Sequence, residues 1–407
     1  MNAWASVNVP AGDCSYASQL IADDAVSLQR GLRGGMIGAM AGSGSRESSA
    51  VTTYGLIAQL PVAIESYSLE PLKRAFSPAF MRYTTLIRLH GAGEDGLGED
   101  VTPFEPAQHA FASSAAELPL SGFWTIESFA AFLDEIELYD GPQLPPGFPK
   151  TFRRWALESA ALDLALRQAG LSLAEALDRE CRPVSFVNSL NLGERGIGAV
   201  KQRLARVPSL RFKLDPESDW SDGLMEQLAA TGTVDIIDLK GLYPPQAPVA
   251  LAPDPDLYRR LATAFPDAWL EDPGLNTATR EVLQPHFSRV TWDLPIRTPE
   301  DIDQLPVPPR ALNIKPARHG TLRRLLDVYD HCAQHRIPMY GGGMGELAVG
   351  REQIQYLASL FHPDAPNDIA PVDYNDYELR ANLPPSPLHV EPAAKGFSIA
   401  TSSERTG

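Results

Sequence analysis

Cysteine is scarce: Cys14, Cys181 and Cys332 are the three in 407 residues. An odd, widely spaced set has neither zinc-ligand spacing nor a disulfide framework, and it reads as reduced thiols. Long apolar runs are missing too. The most suggestive stretch, 48–64, is uncharged but carries Thr, Gln, Gly and Pro. It falls short of the ~20 apolar residues that cross a bilayer. The N-terminus offers Asp13, Asp23 and Asp24 rather than a basic start followed by an apolar run, so no secretory signal is expected and the chain reads as cytoplasmic, with no membrane partner. Basic residues are the minority, 35 against 51 acidic ones, for a net charge of −16. Such a surface repels phosphate backbones and excludes nucleic acid as a partner.

What is present points to a globular enzyme-sized chain. Apolar residues make up 44% and charged residues 21%, enough for a sizeable core, and the length suits two or three domains. Proline is abundant at 36 residues, against about 20 for average usage, which suits a fold with many short connections. Residues 1–58 form an arm that is either a disordered extension or a flap over a site; Gly34-Gly35 and Gly42-Ser43-Gly44 stand out in it. Residues 59–180 read as an α+β unit: a three-stranded meander over 61–68, 82–90 and 97–102, then helices over 125–136 and 152–177. Residues 376–407 form a Pro/Ser-rich tail that is expected to return to the α+β unit.

Between 181 and 375 the pattern is strict alternation. Apolar runs at 185–192, 210–214, 234–239, 268–271, 290–294, 311–315, 338–341 and 368–372 are separated by helical segments. Eight strands alternating with helices predict a (β/α)₈ TIM-type barrel, with the α+β unit as its cap. No Gly-x-Gly-x-x-Gly follows any of these strands, which argues against an open dinucleotide-binding sheet.

Five consecutive runs end on a charge: Lys213, Asp238, Glu271, Asp293 and Lys315. In a barrel such ends face the active-site mouth. Strands three, four and five are neighbours, so their three carboxylates converge, repel one another and call for a hard cation, Mg²⁺ with Mn²⁺ as the alternative. The second and sixth strands lie on opposite walls of a ring of eight, which puts Lys213 and Lys315 across the metal from each other. That arrangement suits removal of a proton from the carbon beside a carboxylate, with the metal stabilising the enediolate. A neutral base needs Lys213 lowered from its ordinary pKa of ~10.4, and Arg211, two residues earlier on the same strand face, is the candidate for that tuning.

The strand ends Arg211-Phe-Lys213, Asp238-Leu-Lys-Gly241, Glu271-Asp-Pro273, Asp293-Leu-Pro-Ile296 and Asn313-Ile-Lys315, with Gly342-Gly-Met-Gly-Glu346 after strand seven, resemble those of the enolase superfamily, in its muconate-lactonizing subgroup. The resemblance spans roughly 60–375. It implies a divalent metal on Asp238, Glu271 and Asp293, and Lys213 and Lys315 as an acid/base pair acting on a small carboxylate substrate. Activities in the subgroup are cycloisomerisation, o-succinylbenzoate synthesis, and racemisation or epimerisation of acylamino acids and dipeptides. Two positions depart from the subgroup: Arg211 replaces the usual first lysine, and Lys240 replaces an asparagine after strand three. Lys240 reads as an ion pair behind the metal acids or as a substrate contact.

Ser189, Asn191, Gly342, Gly343 and Met344 are candidate substrate contacts, and Glu346 a partner of a lysine, a partner of substrate or a helix cap. Asp373-Tyr-Asn375 supplies one acid and an amide near strand eight. His331 and His335, one helical turn apart, lack a third ligand and read as a solvated face. A homo-oligomer is compatible with the sequence. Two rival readings remain: a non-catalytic metal or ligand-binding barrel that has lost turnover, and an aldolase-type barrel with a Schiff-base lysine.

Overall fold

The structure is a computed structural model that describes residues 52–77, 80–113, 118–142, 144, 149–243 and 249–400. Most of the N-terminal arm lies outside the described residues.

The α+β unit is built on β1 (Pro61–Ile64), β2 (Ser66–Ser77), β3 (Phe80–Gly91), β4 (Glu94–Asp100) and β5 (Gly122–Thr125). Strands β2, β3 and β4 form the antiparallel meander. The first strand differs from the sequence expectation. Pro61–Ile64 leaves the meander and pairs with Gly122–Thr125 as a separate ribbon, a long-range partner that no local pattern announces. A helix at Glu105–Ser113 was not anticipated either. The next helix, Ile126–Asp134, starts where Thr125 accepts from the Ser128 N–H; this satisfies one orphan donor of the first turn. The meander lies on the buried helix Thr151–Ala169. Contact is closest at Gly98, where a Cβ would stand 2.0 Å from the Ala156 carbonyl oxygen, so only glycine lets the two backbones meet.

Seven parallel strands follow: β6 (Val187–Asn191), β7 (Arg211–Asp215), β8 (Val234–Asp238), β9 (Trp269–Glu271), β10 (Val290–Trp292), β11 (Ala311–Ile314) and β12 (Met339–Gly341). They are hydrogen-bonded in chain order, and helices lie between them, including one at Thr277–Leu283 after β9. The expected eighth strand, 368–372, is no strand. It is reduced to two parallel bridges, Asn367 to Phe186 and Asp368 to Gly342. These touch the N-terminal flank of β6 and the C-terminal end of β12, so they close the ring between its first and last strands. Pro371 has no N–H to donate. Asn367 fixes the closure: its side chain donates to Ser185, Ala365 and His362 carbonyls and accepts from Gly341 N–H and His362. The result is a (β/α)₈-type barrel with a minimal last strand.

The cap is tied to the barrel mouth by buried charge. Arg82 of β3 donates to the carbonyls of Met344 at 3.0 Å and Gly345 at 3.1 Å. Glu99 of β4 accepts the N–H groups of Leu347, Ala348 and Gly350 at the start of the helix Val349–Phe361, where the helix dipole favours an anion. The tail runs back over the cap helix. Phe397 N–H donates to Asp163, and Lys395 pairs with Glu94.

Candidate active site

Space repeats sequence at the strand ends. Strands β7 to β11 are consecutive neighbours, so Lys213, Asp238, Glu271, Asp293 and Lys315 form a row in that order. Asp238 and Glu271 share one register, and Asp293 follows β10 by one residue. Every member of the row is at least 95% buried.

The charges interlock. The Lys213 ammonium bonds to Glu271 and lies 2.9 Å from Asp238 Oδ2 and 3.4 Å from Asp368 Oδ2. Lys240 bonds to that same Asp238 Oδ2 and stands 3.6 Å from Asp215 Oδ1. At the other end, Lys315 Nζ lies 2.8 Å from Asp293 Oδ2, and Arg318 Nη1 lies 2.6 Å from Asp293 Oδ1. Glu271 Oε2 accepts from the Tyr340 hydroxyl at 2.5 Å. The Asp272 carboxylate accepts the N–H groups of Asp293 and Leu294 and thereby fixes the loop that carries Asp293.

These contacts set the protonation states. Burial alone would lower Lys213, but Asp238, Glu271 and Asp368 outweigh it and hold the ammonium well above its ordinary range. Against burial, Lys213 and Lys240 keep Asp238 below the usual carboxylate range, and Arg318 and Lys315 do the same for Asp293. Burial and the neighbouring Asp238 push Glu271 well up. Burial, Asp293 and Asp238 push Asp272 up to about 7.

Among the described residues no group of three or more His, Cys, Asp or Glu is arranged to hold a metal ion; ammonium groups of the chain itself stand among the acid oxygens. In kind and charge the residues nevertheless fit a divalent cation. Six buried acids (Asp215, Asp238, Glu271, Asp272, Asp293, Asp368) face four buried cations (Lys213, Lys240, Lys315, Arg318), an excess of two negative charges. Glu271 and Asp272, whose pKa values are raised, are the acids that take up protons in place of a cation. Asp238, Glu271 and Asp293 are all-oxygen donors of the kind Mg²⁺ and Mn²⁺ take.

The remaining expected residues fall in two groups. Near the row are Ser189, in register with Lys213, and Gly342, where a Cβ would stand 2.3 Å from Asn313 Oδ1 and 2.6 Å from Lys315 Cε. Met344 also lies there, its sulfur 4.0 Å from Arg318. The other group is engaged elsewhere. Arg211 does not lie against Lys213: two residues of strand separate the side chains by ~6.6 Å, and its exposed guanidinium forks onto Asp235 of the adjacent strand β8. Asn191 accepts the Gly193 N–H in a turn. Glu346 accepts the Met344 N–H and pairs with Arg351, bracing the loop, and a Cβ on Gly343 would meet its carboxylate. Asp373 is held by Arg74 of the β2–β3 hairpin at 2.5 Å. The His331 and His335 rings pack against each other on their helix, centroids 4.1 Å apart and tilted by 32°.

Sequence reasoning missed Asp215, Arg318, Tyr340 and Asp368 as members of the cluster. Asp215 was within reach, since it lies two residues after Lys213 on the same strand face. Arg318 lies within the helix Pro316–His319 that follows Lys315, and nothing local marks it.

The chain matches a domain of unknown function, DUF8230, its N-terminal domain over residues 55–176 and its C-terminal domain over 180–376. A stretch of 61 residues is 39% identical to an o-succinylbenzoate synthase of Bacillus subtilis, covering 15% of this chain and 16% of that protein. A stretch of 62 residues is 42% identical to an N-succinylamino acid racemase of Amycolatopsis, covering 15% and 17%. The chain thus aligns with about a sixth of the length of each curated relative. Among solved structures, muconate lactonizing enzyme from Pseudomonas putida superposes with a TM-score of 0.58 at 17% identity, over 84% of this chain and 98% of that one. A mandelate racemase/muconate lactonizing protein from Herpetosiphon aurantiacus gives 0.58 at 17%, over 77% and 90%. An enolase-superfamily member from Enterococcus faecalis gives 0.55 at 19%, over 78% and 88%.

Proposed function

We propose, for a chain that shares the fold of enolase-superfamily structures, that it is a Mg²⁺-dependent isomerase or lyase of that superfamily that removes the α-proton of a small carboxylate substrate. The observation that supports this reading best is the buried row Lys213–Asp238–Glu271–Asp293–Lys315 on five adjacent strand ends.

Asp238, Glu271 and Asp293 would hold the divalent cation. When bound, it would supply positive charge to the substrate carboxylate as the α-carbon loses its proton. Lys213 and Lys315 carry the proton chemistry from the two ends of the row. In the ion-paired state Lys213 is kept charged by Asp238 and Glu271; it becomes a base only when those two carboxylates are engaged elsewhere. Lys315 is held on one Asp293 oxygen while Arg318 holds the other, which fixes where its ammonium sits. Burial of both lysines excludes bulk water from the proton path. Racemisation or epimerisation uses both lysines as acid and base. Cycloisomerisation or dehydration uses one as base while the other stabilises charge.

The test is proton exchange. The protein is incubated in D₂O with Mg²⁺ and a panel of N-acylamino acids, dipeptides, muconates and succinylbenzoate precursors. The reading expects α-deuterium in at least one substrate, lost when EDTA replaces the metal. Exchange that persists in EDTA, or borohydride trapping of a lysine without metal, contradicts it.

A further inference from the structure

We propose that Lys240 is a resident ammonium that occupies the metal face of Asp238 and retreats to Asp215 when a divalent cation binds; this rests on the metal site proposed above. Lys213 and Lys240 both sit on one atom, Asp238 Oδ2. Two ammoniums on one oxygen repel each other, and neither can stay there if that oxygen turns to a metal. Each has a second acid just beyond hydrogen-bond range: Asp368 at 3.4 Å for Lys213 and Asp215 at 3.6 Å for Lys240.

Asp215 looks built as a receiving seat. It is 6% exposed, and its Oδ1 has no hydrogen-bond partner among the described residues. A buried carboxylate oxygen left without a donor is unfavourable, and an ammonium that moves onto it removes that cost. Lys240 has few other places to go. It is 4% exposed. Its backbone is left-handed, with φ +49°, a conformation non-glycine residues seldom adopt. Its own N–H points at Asp238 Oδ1 at 3.3 Å, and the Tyr243 ring lies 5.9 Å from the ammonium. The chain therefore carries its own competitor for the metal, with a parking place one strand away.

The prediction is a non-additive pair. Mn²⁺ alone is titrated into the full-length protein, and free Mn²⁺ is read by electron paramagnetic resonance. Lys240→Gln removes the competitor and is expected to tighten Mn²⁺ binding about tenfold. Asp215→Asn removes the seat and is expected to weaken it about tenfold. In the double variant the Asp215→Asn effect is expected to vanish, because no ammonium remains to be parked. A general electrostatic role for Asp215 would persist in the Lys240→Gln background and overturns the proposal, as does unchanged or weaker binding by Lys240→Gln. If the wild type binds one Mn²⁺ and Asp293→Asn abolishes it, the metal site stands whatever Lys240 does. If neither wild type nor Lys240→Gln binds, both ideas fall together. A structure of the wild type with Mn²⁺ gives a check that needs no variant: Lys240 Nζ within hydrogen-bond distance of Asp215 supports the proposal, and Lys240 still on Asp238 overturns it.

Discussion

Lys213 Nζ lies 2.9 Å from Asp238 Oδ2, across the boundary between two adjacent βα units. Each residue alone would be an expensive buried charge. Together with Glu271 and Asp368 they form a cluster whose members depend on one another. That dependence gives the site measurable signatures.

Asp293→Asn removes the carboxylate shared by Lys315 and Arg318. Two buried cations then lose their charge partner. A loss of about 3–5 kcal/mol of stability is expected, the range seen when one member of a buried pair is deleted. Urea unfolding of variant and wild type measures it; a change under ~1 kcal/mol contradicts the pairing.

Gly342→Ala places a methyl group 2.3 Å from Asn313 Oδ1 and 2.6 Å from Lys315 Cε. Neither atom is a free surface end, so Lys315 must shift off Asp293. The atoms met are side-chain atoms rather than backbone, so the fold is expected to survive, and proton exchange is expected to fall at least tenfold. Retained activity at wild-type level in the folded variant contradicts the placement of Lys315.

The row of strand-end charges was legible because each charge closes a short apolar run, one βα repeat after the last. Its counter-charges were not. Arg318 and Tyr340 reach the site through tertiary packing; Asp215, two residues after Lys213 on the same strand face, was within reach of alternation but carried no assignment. The barrel was legible to its seventh strand. The eighth was placed on the apolar stretch 368–372, whereas Asn367 and Asp368 alone make bridges. The ribbon of Pro61–Ile64 with Gly122–Thr125 pairs across nearly sixty residues, beyond what alternation can show. Arg211 was assigned from strand-face alternation alone, which ignores that its side chain could find Asp235 at the start of the adjacent strand β8.

Closure of the barrel makes stability sensitive to acid. Burial lowers His362 to about 4 while its ring hydrogen-bonds Asn367, the residue that bridges the first and last strands. A depressed histidine favours the neutral form in the fold. Its contribution is intact above the unfolded pKa of ~6.5 and is lost as pH falls toward the folded value, by an amount on the order of 3 kcal/mol. Other buried groups titrate in the same range, so the comparison is with His362→Gln. Between pH 7 and pH 4.5 the wild type is expected to lose more stability than the variant; parallel pH profiles contradict this.

Glu99→Gln weakens the joint between cap and barrel. The carboxylate accepts three N–H groups at the start of the helix Val349–Phe361. The amide keeps the shape but one of its two acceptors becomes a donor. Faster hydrogen exchange at Leu347, Ala348 and Gly350 is expected with the strands β6 to β11 unchanged; uniform protection contradicts the joint.

The most direct measurement is α-proton exchange of a responsive carboxylate substrate in D₂O with Mg²⁺, comparing wild type, Lys213→Ala, Lys315→Ala and the exposed-helix control Lys201→Ala. The account predicts exchange by wild type and Lys201→Ala and at least a hundredfold loss in Lys213→Ala, with Lys315→Ala impaired as well. Exchange that continues at the wild-type rate without Lys213 would contradict it.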